Sequence, residues 1–223
     1  MRRSDERELL DGDAYSIAEL RGNFRDIERA NRWFGGVAPV RAFVRDIGAR
    51  SVLDVGCGSG DICRALVRDA ERRGHGLRVV GLDRSDDVLG VARTRGSTDA
   101  RVTFVRGDGE ALPFDRGAFD VVTCSLTLHH CSPDVAVRLL REMRRVAGRS
   151  PFVCDLRRSW GAFGAAATFA LLCSRNRLTR HDAPLSAKRA YTPAEAVHLA
   201  RRAGWARAVV RASPLFRFVL FDA

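Results

Sequence analysis

Glycines at alternate positions follow a short apolar stretch in the first third of the chain. The segment reads Val52-Leu53-Asp54-Val55-Gly56-Cys57-Gly58-Ser59-Gly60, and a helical pattern begins directly after it. Glycine lets the backbone turn sharply and approach a ligand closely, while a helix N-terminus offers free N–H groups to an anion. The segment therefore predicts a ligand-binding loop, with an ordinary strand–helix turn as the alternative. A dinucleotide site needs a further glycine where this chain has Asp61, which argues against NAD.

Acidic residues and glycines also follow the next apolar stretches. Asp83 ends the stretch Val79-Val80-Gly81-Leu82-Asp83, 23 residues after Gly60. An acid at this place can accept both hydroxyls of a ribose, as in other nucleotide-binding α/β folds. A helix N-cap is the alternative role for Asp83, although Ser85 could fill it. Two further segments are Gly107-Asp108-Gly109-Glu110-Ala111-Leu112-Pro113-Phe114 and Phe119-Asp120-Val121-Val122-Thr123-Cys124-Ser125.

Taken in order, these four segments resemble class I S-adenosylmethionine-dependent methyltransferases, in which Asp-x-Gly-x-Gly-x-Gly spacing is typical. The resemblance covers residues 50–155 and implies S-adenosylmethionine as the cofactor. In this family the glycine loop faces the methionine part, and the matching acids are Asp83 for the ribose and Asp108 for the adenine amino group; Ser125 lies near the sulfonium. The cofactor-binding residues that the resemblance implies are Asp54, Gly56, Gly58, Gly60, Asp83, Arg84, Asp108, Gly109 and Ser125.

The segment after the fourth predicted strand narrows the class of acceptor. Methyltransferases of base amines or glutamine amides typically carry Asn/Asp-Pro-Pro-aromatic here, whereas this chain has Ser125-Leu126-Thr127-Leu128-His129-His130. This segment resembles small-molecule methyltransferases. The stretches 31–36 and 180–193 resemble a bacterial subset associated with secondary metabolism. We therefore expect a small-molecule acceptor that is methylated on a hydroxyl oxygen.

A base that removes the hydroxyl proton would assist such a transfer, and histidine suits this task because its reference pKa is about 6.5. The candidates are His129, His130 and His181, of which His130 and His181 are predicted as catalytic residues. His130 follows the fourth strand, and His181 is predicted in a polar loop over residues 175–190. A purely structural role for these histidines is the alternative, with catalysis by alignment alone.

The elements that position these residues follow from the hydrophobic pattern. Short valine-rich stretches alternate with amphipathic helices from Ser51 onwards, which indicates a parallel sheet covered on both faces. We predict a Rossmann-like α/β fold with a mostly parallel seven-stranded sheet, an antiparallel last strand and an N-terminal helical cap. The predicted strands are 51–55, 78–82, 101–105, 119–123, 150–154, 206–211 and 215–220; the predicted helices are 15–34, a short one ending near 47, 60–73, 85–95, 134–147, 159–174 and 193–203.

The predicted organisation is one structural domain. It comprises a helical cap over residues 1–48 and a methyltransferase domain over 49–223, with a helical and loop insertion at 156–190. We expect the N-terminal helix and the uncharged helix 159–174 to cover the ligand site. The second helix offers Trp160, Phe163, Phe169 and Leu172, which favours an aromatic or lipid-like acceptor. Core packing or a dimer contact is the alternative.

Composition limits the partners. The net charge of +11 would suit nucleic acid, but the arginines are spread over nearly every predicted helix, which favours a solvated surface. We expect no specific nucleic-acid partner, no membrane span and a cytoplasmic monomer or homodimer.

The six cysteines contain no Cys-x-x-Cys pair, so no metal site is predicted. An RNA or protein methyltransferase, and a cofactor-binding protein without methyl transfer, are the alternative functions.

Overall fold

The protein is described here by a computed structural model that covers residues 1–12, 14–95 and 99–223. Its strands are β1 (Ser51–Val55), β2 (Arg78–Asp83), β3 (Val102–Arg106), β4 (Phe119–Ser125), β5 (Ala147–Leu156), β6 (Ala208–Ser213) and β7 (Arg217–Asp222). Its α-helices are α1 (Ile17–Trp33), α2 (Ala38–Ile47), α3 (Asp61–Arg72), α4 (Asp86–Thr94), α5 (Pro133–Val146), α6 (Trp160–Cys173), α7 (Arg177–Arg189) and α8 (Pro193–Arg202). None of these described helices is long and apolar enough to cross a bilayer.

Within the described residues the strands form one sheet in the order β3-β2-β1-β4-β5-β7-β6. Strands β1 to β5 pair in parallel, and β7 runs antiparallel to both β5 and β6. The predicted fold class, including the antiparallel last strand, is confirmed. The order of strands reverses between β1 and β4, and open α/β sheets bind ligands outside the carboxyl ends of the strands at such a point.

Apolar side chains cover both faces of the sheet because the central strands are rich in valine. Val52 packs with the layer that includes α2 and α3, whereas the neighbouring Leu53 packs with the layer that includes α5 and α8. Trp205, which follows α8, lies in this second layer and is only 1% exposed. Its indole N–H donates to the carbonyl oxygen of Leu140 at 2.9 Å.

Replacing Trp205 with alanine is therefore expected to lower the free energy of unfolding by about 3–5 kcal/mol, through lost burial and the cavity left behind. The matched control is Trp160→Ala, since Trp160 is 70% exposed and its loss should change stability by no more than about 0.5 kcal/mol. Urea unfolding of both variants measures the difference. Equal effects would show that Trp205 does not anchor this layer.

The prediction of a loop over residues 175–190 is wrong, because α7 occupies this segment. The helix includes Pro184 in its interior. Asn176 caps the helix by accepting the backbone N–H groups of Leu178 and Thr179. Packing of α7 against α6 and α1 outweighs the cost of the proline, as tertiary contacts commonly do for local propensity.

The N-terminal segment, residues 1–12, docks onto α7 and onto the turn after β4. The Asp182 carboxylate accepts the backbone N–H groups of Leu9 and Leu10 at 2.8 and 3.0 Å. The Arg3 guanidinium donates to the carbonyl oxygens of His129 and Cys131. These bonds hold the segment across the carboxyl end of the sheet.

Candidate active site

A cavity of about 610 Å³ opens at the carboxyl ends of β1, β2, β4 and β5, a volume typical of ligand sites. Helices α1 and α6 line it on the other side, as the pattern predicted, through Phe24, Ile27 and Phe169 among others. Trp160 and Leu172 were expected to face this space but are 70% and 75% exposed. That expectation is wrong because α6 turns an alanine-rich face, not its largest side chains, towards the cavity.

The glycine loop adopts backbone conformations that require glycine. Gly56 and Gly58 have φ values of 69° and 53° and line the cavity. A Cβ on Gly56 would lie 2.4 Å from the Thr127 hydroxyl oxygen. Gly60 also has a positive φ, of 73°, but its absent side chain makes room for the ring of Phe104. Of the three loop glycines predicted to bind the cofactor, Gly56 and Gly58 line the cavity and Gly60 does not.

The loop is held to the end of β2 by Asp83. One carboxylate oxygen accepts the Gly58 N–H at 3.1 Å and the other accepts the Ser85 N–H at 3.2 Å. Ser85 itself caps α4, so Asp83 is not needed as the N-cap. Burial raises the pKa of Asp83, and the backbone hydrogen bonds oppose that rise. The carboxylate lines the cavity and keeps acceptor capacity there.

Four other predicted cofactor residues meet at the same cavity. Arg84, Asp108, Gly109 and Ser125 all line it. One Asp108 carboxylate oxygen accepts the Glu110 N–H at 2.9 Å, which fixes the turn after β3. The Ser125 hydroxyl oxygen is buried and finds no hydrogen-bond partner among the described residues. Since buried polar atoms normally have a hydrogen-bond partner, we expect this hydroxyl to bond to a ligand group or to a water.

Asp54 is buried at the end of β1 on the cavity floor. Its carboxylate accepts the Thr123 hydroxyl at 2.8 Å and the Cys63 thiol at 3.4 Å. Burial raises the pKa of Asp54 to about 7, because a charged carboxylate is poorly solvated there. A positively charged ligand in the cavity would reduce this cost.

A second cluster of polar side chains lies where the N-terminal segment meets the turn after β4. His130 lines the cavity, and its Nδ1 lies 2.8 Å from an Asp11 carboxylate oxygen. His129 is buried, with Nδ1 2.7 Å from Asp155. Glu8 is buried between the two rings, and this burial raises its pKa to about 7. Burial alone would raise the pKa of Asp11, but the hydrogen bond and charge of His130 outweigh it and hold that pKa at about 2.

His181 does not join this group. It lies on α7 with its side chain 39% exposed, and its Nδ1 is 2.7 Å from the neighbouring Asp182. Among the described residues that line the cavity, His181 is absent. The helical geometry of α7 directs it towards Glu6, 4.0 Å away, so the structure brings only one of the two predicted catalytic histidines to the site.

Comparison with known proteins matches residues 52–149 to the family described as "Methyltransferase domain". Over these residues the chain is similar to methyltransferase domains. The chain is 37% identical over 103 residues to a demethylmenaquinone methyltransferase from Lactococcus lactis subsp. lactis, covering 45% of this chain and 39% of that protein. It is 40% identical over 100 residues to the chloroplastic 2-phytyl-1,4-beta-naphthoquinone methyltransferase of Arabidopsis thaliana, covering 43% and 36%. The match thus spans about two fifths of these relatives' length.

Solved structures share the fold of the methyltransferase domain. Human N-acetylserotonin methyltransferase in complex with S-adenosylmethionine superposes with a TM-score of 0.70 at 14% identity, over 92% of this chain and 56% of that one. Magnesium protoporphyrin IX methyltransferase from Synechocystis PCC 6803, with bound S-adenosylhomocysteine, gives 0.59 at 19% identity, over 95% and 88%. The predicted family and fold are confirmed, and the cofactor prediction is confirmed at the level of the family.

The residues of the methyltransferase domain fit this cofactor. Gly56 and Gly58 place backbone without side chains on the cavity wall, and Asp83 presents a buried acceptor there. The unpartnered Ser125 hydroxyl lies on the same surface. The buried carboxyl of Asp54 suits a ligand that carries positive charge, as the sulfonium and ammonium groups do.

The raised pKa of Asp54 gives a testable pH dependence. The folded-state pKa of about 7 exceeds the ordinary value of 3.8, so stability falls as pH rises between these values. Asparagine does not titrate, so the Asp54→Asn variant does not lose stability in this way as the pH rises. Its free energy of unfolding, relative to the natural protein, should therefore increase by about 1–3 kcal/mol from pH 5 to pH 8. Urea unfolding of the ligand-free proteins measures this. The control Asp46→Asn, at an exposed acid, should show no such trend; a constant difference for Asp54→Asn would contradict the burial effect.

Several residues at the site escaped the sequence analysis. Glu8 and Asp11 lie in an irregular, charged segment with no motif, and Arg189 lies in the segment predicted as a loop. Asp155 carried a usable signal, since it ends the apolar strand β5 at the edge where parallel strands place ligand-binding groups.

Proposed function

We propose that this chain transfers the methyl group of S-adenosylmethionine to a hydroxyl oxygen of a small aromatic or lipid-like molecule. The observation that carries the proposal is one cavity whose lining includes the glycine loop, Asp83 and His130. S-adenosylmethionine supplies a methyl group on a positively charged sulfur, which is already a good electrophile. The main task of the protein is then to align the acceptor with that methyl group.

The cofactor would be held by residues at the carboxyl ends of β1, β2, β3 and β4. Gly56 and Gly58 would contact the methionine part and Asp83 the ribose hydroxyls. Asp108 would accept from the adenine amino group, with Arg84 and Gly109 beside it. Ser125 would lie close to the sulfonium. These assignments rest on the family resemblance and on the presence of all these residues in one cavity lining.

The remaining surface of the cavity favours an apolar, ring-containing acceptor. Phe34, Phe169 and Phe216 line it together with alanines of α6, and aromatic rings pack well on such a surface. The names of two similar proteins refer to menaquinone and naphthoquinone compounds, which agrees with an acceptor of this kind. Secondary metabolism is the setting that the sequence resemblance suggests.

His130 is the histidine that we assign to the acceptor. Its Nδ1 is occupied by Asp11, and its Nε2 lies 3.7 Å from Glu8, which also lines the cavity. A group at this place promotes loss of the hydroxyl proton and thereby makes the oxygen a better nucleophile. His181 would require a rearrangement of α7 to reach the acceptor, so we no longer propose it as catalytic.

We propose no specific nucleic-acid partner, because many arginines form ion pairs scattered over the surface. Examples are Arg72 and Arg73 with Asp69, and Arg144 with Asp222. A cytoplasmic location and a monomer or homodimer remain the sequence predictions.

The test incubates the purified chain with S-adenosylmethionine and a panel of phenols and hydroquinones that carry alkyl chains of increasing length. We expect S-adenosylhomocysteine to form together with an acceptor whose mass increases by one methyl group, at the oxygen. Unmodified RNA is included as a rival acceptor. Methylation of RNA but not of the phenols would overturn the proposal, as would binding of the cofactor without transfer to any acceptor.

A further inference from the structure

Three hydrogen-bond acceptors converge at one point beside the cavity. They are the Glu8 carboxylate and the Nε2 atoms of His129 and His130, and one atom from each residue lies within 4.8 Å of the others. Glu8 and His129 are buried, with side chains 2% and 4% exposed. The Glu8 Oε1 oxygen has no hydrogen-bond partner among the described residues. A buried carboxylate oxygen without a partner is costly, and this one faces the two rings.

A second carboxylate contacts the Nδ1 atom of each imidazole and thereby fixes the orientation of the ring. Asp155 and Asp11 lie 2.7 and 2.8 Å from Nδ1 of His129 and His130. A carboxylate accepts, so a neutral ring that donates to it from Nδ1 presents its lone pair at Nε2. A carboxylate behind the imidazole is the usual arrangement for metal-binding histidines, since it sets the tautomer and the ring orientation.

The distances within the group do not suit hydrogen bonds. Glu8 Oε1 is 3.8 Å from Nε2 of His129, and Glu8 Oε2 is 3.7 Å from Nε2 of His130. Both separations exceed the hydrogen-bond range. Two ligands that bind one Zn²⁺ ion at about 2.0–2.2 Å in tetrahedral geometry lie about 3.4 Å apart. Shifts of a few tenths of an ångström would thus bring Glu8 and each of the two ring nitrogens to the spacing of two ligands on one ion.

The local charge also favours a cation. The carboxylates of Glu8, Asp11 and Asp155 contact the two imidazoles, and the Arg189 guanidinium lies 3.8 Å from Glu8 and 2.9 Å from Asp11. With neutral rings and with Glu8 ionised, as a metal ligand must be, these described contacts sum to a charge of about −2, which a divalent ion balances. Protons on both rings would instead place two positive charges on rings whose centroids are 4.3 Å apart.

We propose that Glu8, His129 and His130 bind a divalent transition-metal cation, with Zn²⁺ as the reference ion. Two histidines and one carboxylate leave a coordination position open, and His130 lies on the cavity lining, so that position faces the acceptor space. The ligand that we assign to it is an oxygen of the acceptor, whose proton such an ion makes easier to lose. This assignment of the acceptor oxygen rests on the proposed function; binding of the cation does not.

The test is a calorimetric titration of the chelator-treated chain, residues 1–223, with zinc chloride alone. We expect one ion per chain with a Kd of about 1 μM or tighter. Glu8→Gln and His129→Gln should each weaken binding by at least about 100-fold, and Asp155→Asn by about 10–100-fold through the misplaced ring. His181→Gln is the matched control, because this histidine also contacts a carboxylate but lies outside the cavity.

A second readout excludes binding to the six cysteines. Cobalt(II) in place of zinc should give visible absorption without the near-ultraviolet bands of thiolate ligands, and the visible absorption should disappear in Glu8→Gln. Circular dichroism and S-adenosylhomocysteine affinity establish that each variant is folded. Absence of stoichiometric binding to the natural chain would overturn the proposal, as would equal zinc affinity in folded Glu8→Gln or His129→Gln.

The same samples separate this proposal from the proposed function. If S-adenosylhomocysteine binds and zinc does not, the cation proposal is wrong and His130 acts on the proton directly. If zinc binds and S-adenosylhomocysteine does not, the cation site is supported and the proposed methyltransferase reaction is wrong.

Discussion

Replacing His130 with alanine is expected to lower turnover by about 10²–10⁴-fold and to leave the affinity for S-adenosylhomocysteine within about twofold of the natural value. The reason is the proposed role: His130 lines the cavity but is not among the residues proposed to contact the cofactor. Its loss removes the group that promotes proton loss from the acceptor, whether it acts directly or holds the cation. It removes no contact of the cofactor.

The measurement is a steady-state assay at neutral pH with the best acceptor of the panel, paired with calorimetry for S-adenosylhomocysteine. His181→Ala provides the control, since this histidine lies on α7 outside the cavity and should retain near-natural turnover. If His130→Ala also kept near-natural turnover, the acceptor would need no such group, and alignment alone would account for catalysis. Equal losses in both variants would point to a structural role.

Replacing Asp83 with alanine is expected to weaken S-adenosylhomocysteine binding by about 10–100-fold, or roughly 1.4–3 kcal/mol, the range for lost charge-assisted hydrogen bonds. Two effects add here. The ribose loses its acceptor, and the Gly58 N–H loses the carboxylate that holds the glycine loop at 3.1 Å. Because Asp83 has a raised pKa in the free protein, ligand hydroxyls that donate to it also stabilise its charged form.

Asp86→Ala is the matched control, because Asp86 is an exposed acid three residues further on that pairs with Arg106. Its replacement should leave the affinity unchanged. Thermal unfolding without ligand shows whether each variant keeps its fold. An unchanged affinity in a folded Asp83→Ala variant would remove Asp83 from the site.

The cofactor end of the cavity was predictable because local sequence determines it. Strand, glycine loop and helix follow one another within a few residues, and the parallel sheet brings the ends of β1, β2 and β4 together. Asp54, Gly56, Gly58, Asp83, Asp108 and Ser125 therefore meet as expected. Gly60 shows the limit of this reasoning: its spacing suggested ligand contact, whereas its positive φ and the adjacent Phe104 ring give it a packing role.

The acceptor end was less predictable because it is assembled from distant parts of the chain. Glu8 and Asp11 come from a segment without regular hydrophobic period, and they meet His129 and His130 only after that segment docks on Asp182. The same docking surface belongs to α7, a polar segment that was predicted as a loop. A sequence pattern reports local preference, and here long-range contacts decide the structure.

The most direct test of the account is a calorimetric titration of the natural chain with S-adenosylhomocysteine, run in parallel with NAD. The account predicts one site per chain with a Kd of about 1 μM or tighter, equivalent to roughly −8 kcal/mol, and no measurable heat with NAD. Absence of S-adenosylhomocysteine binding, or binding of NAD with equal affinity, would contradict the assignment of the glycine loop and Asp83 to this cofactor.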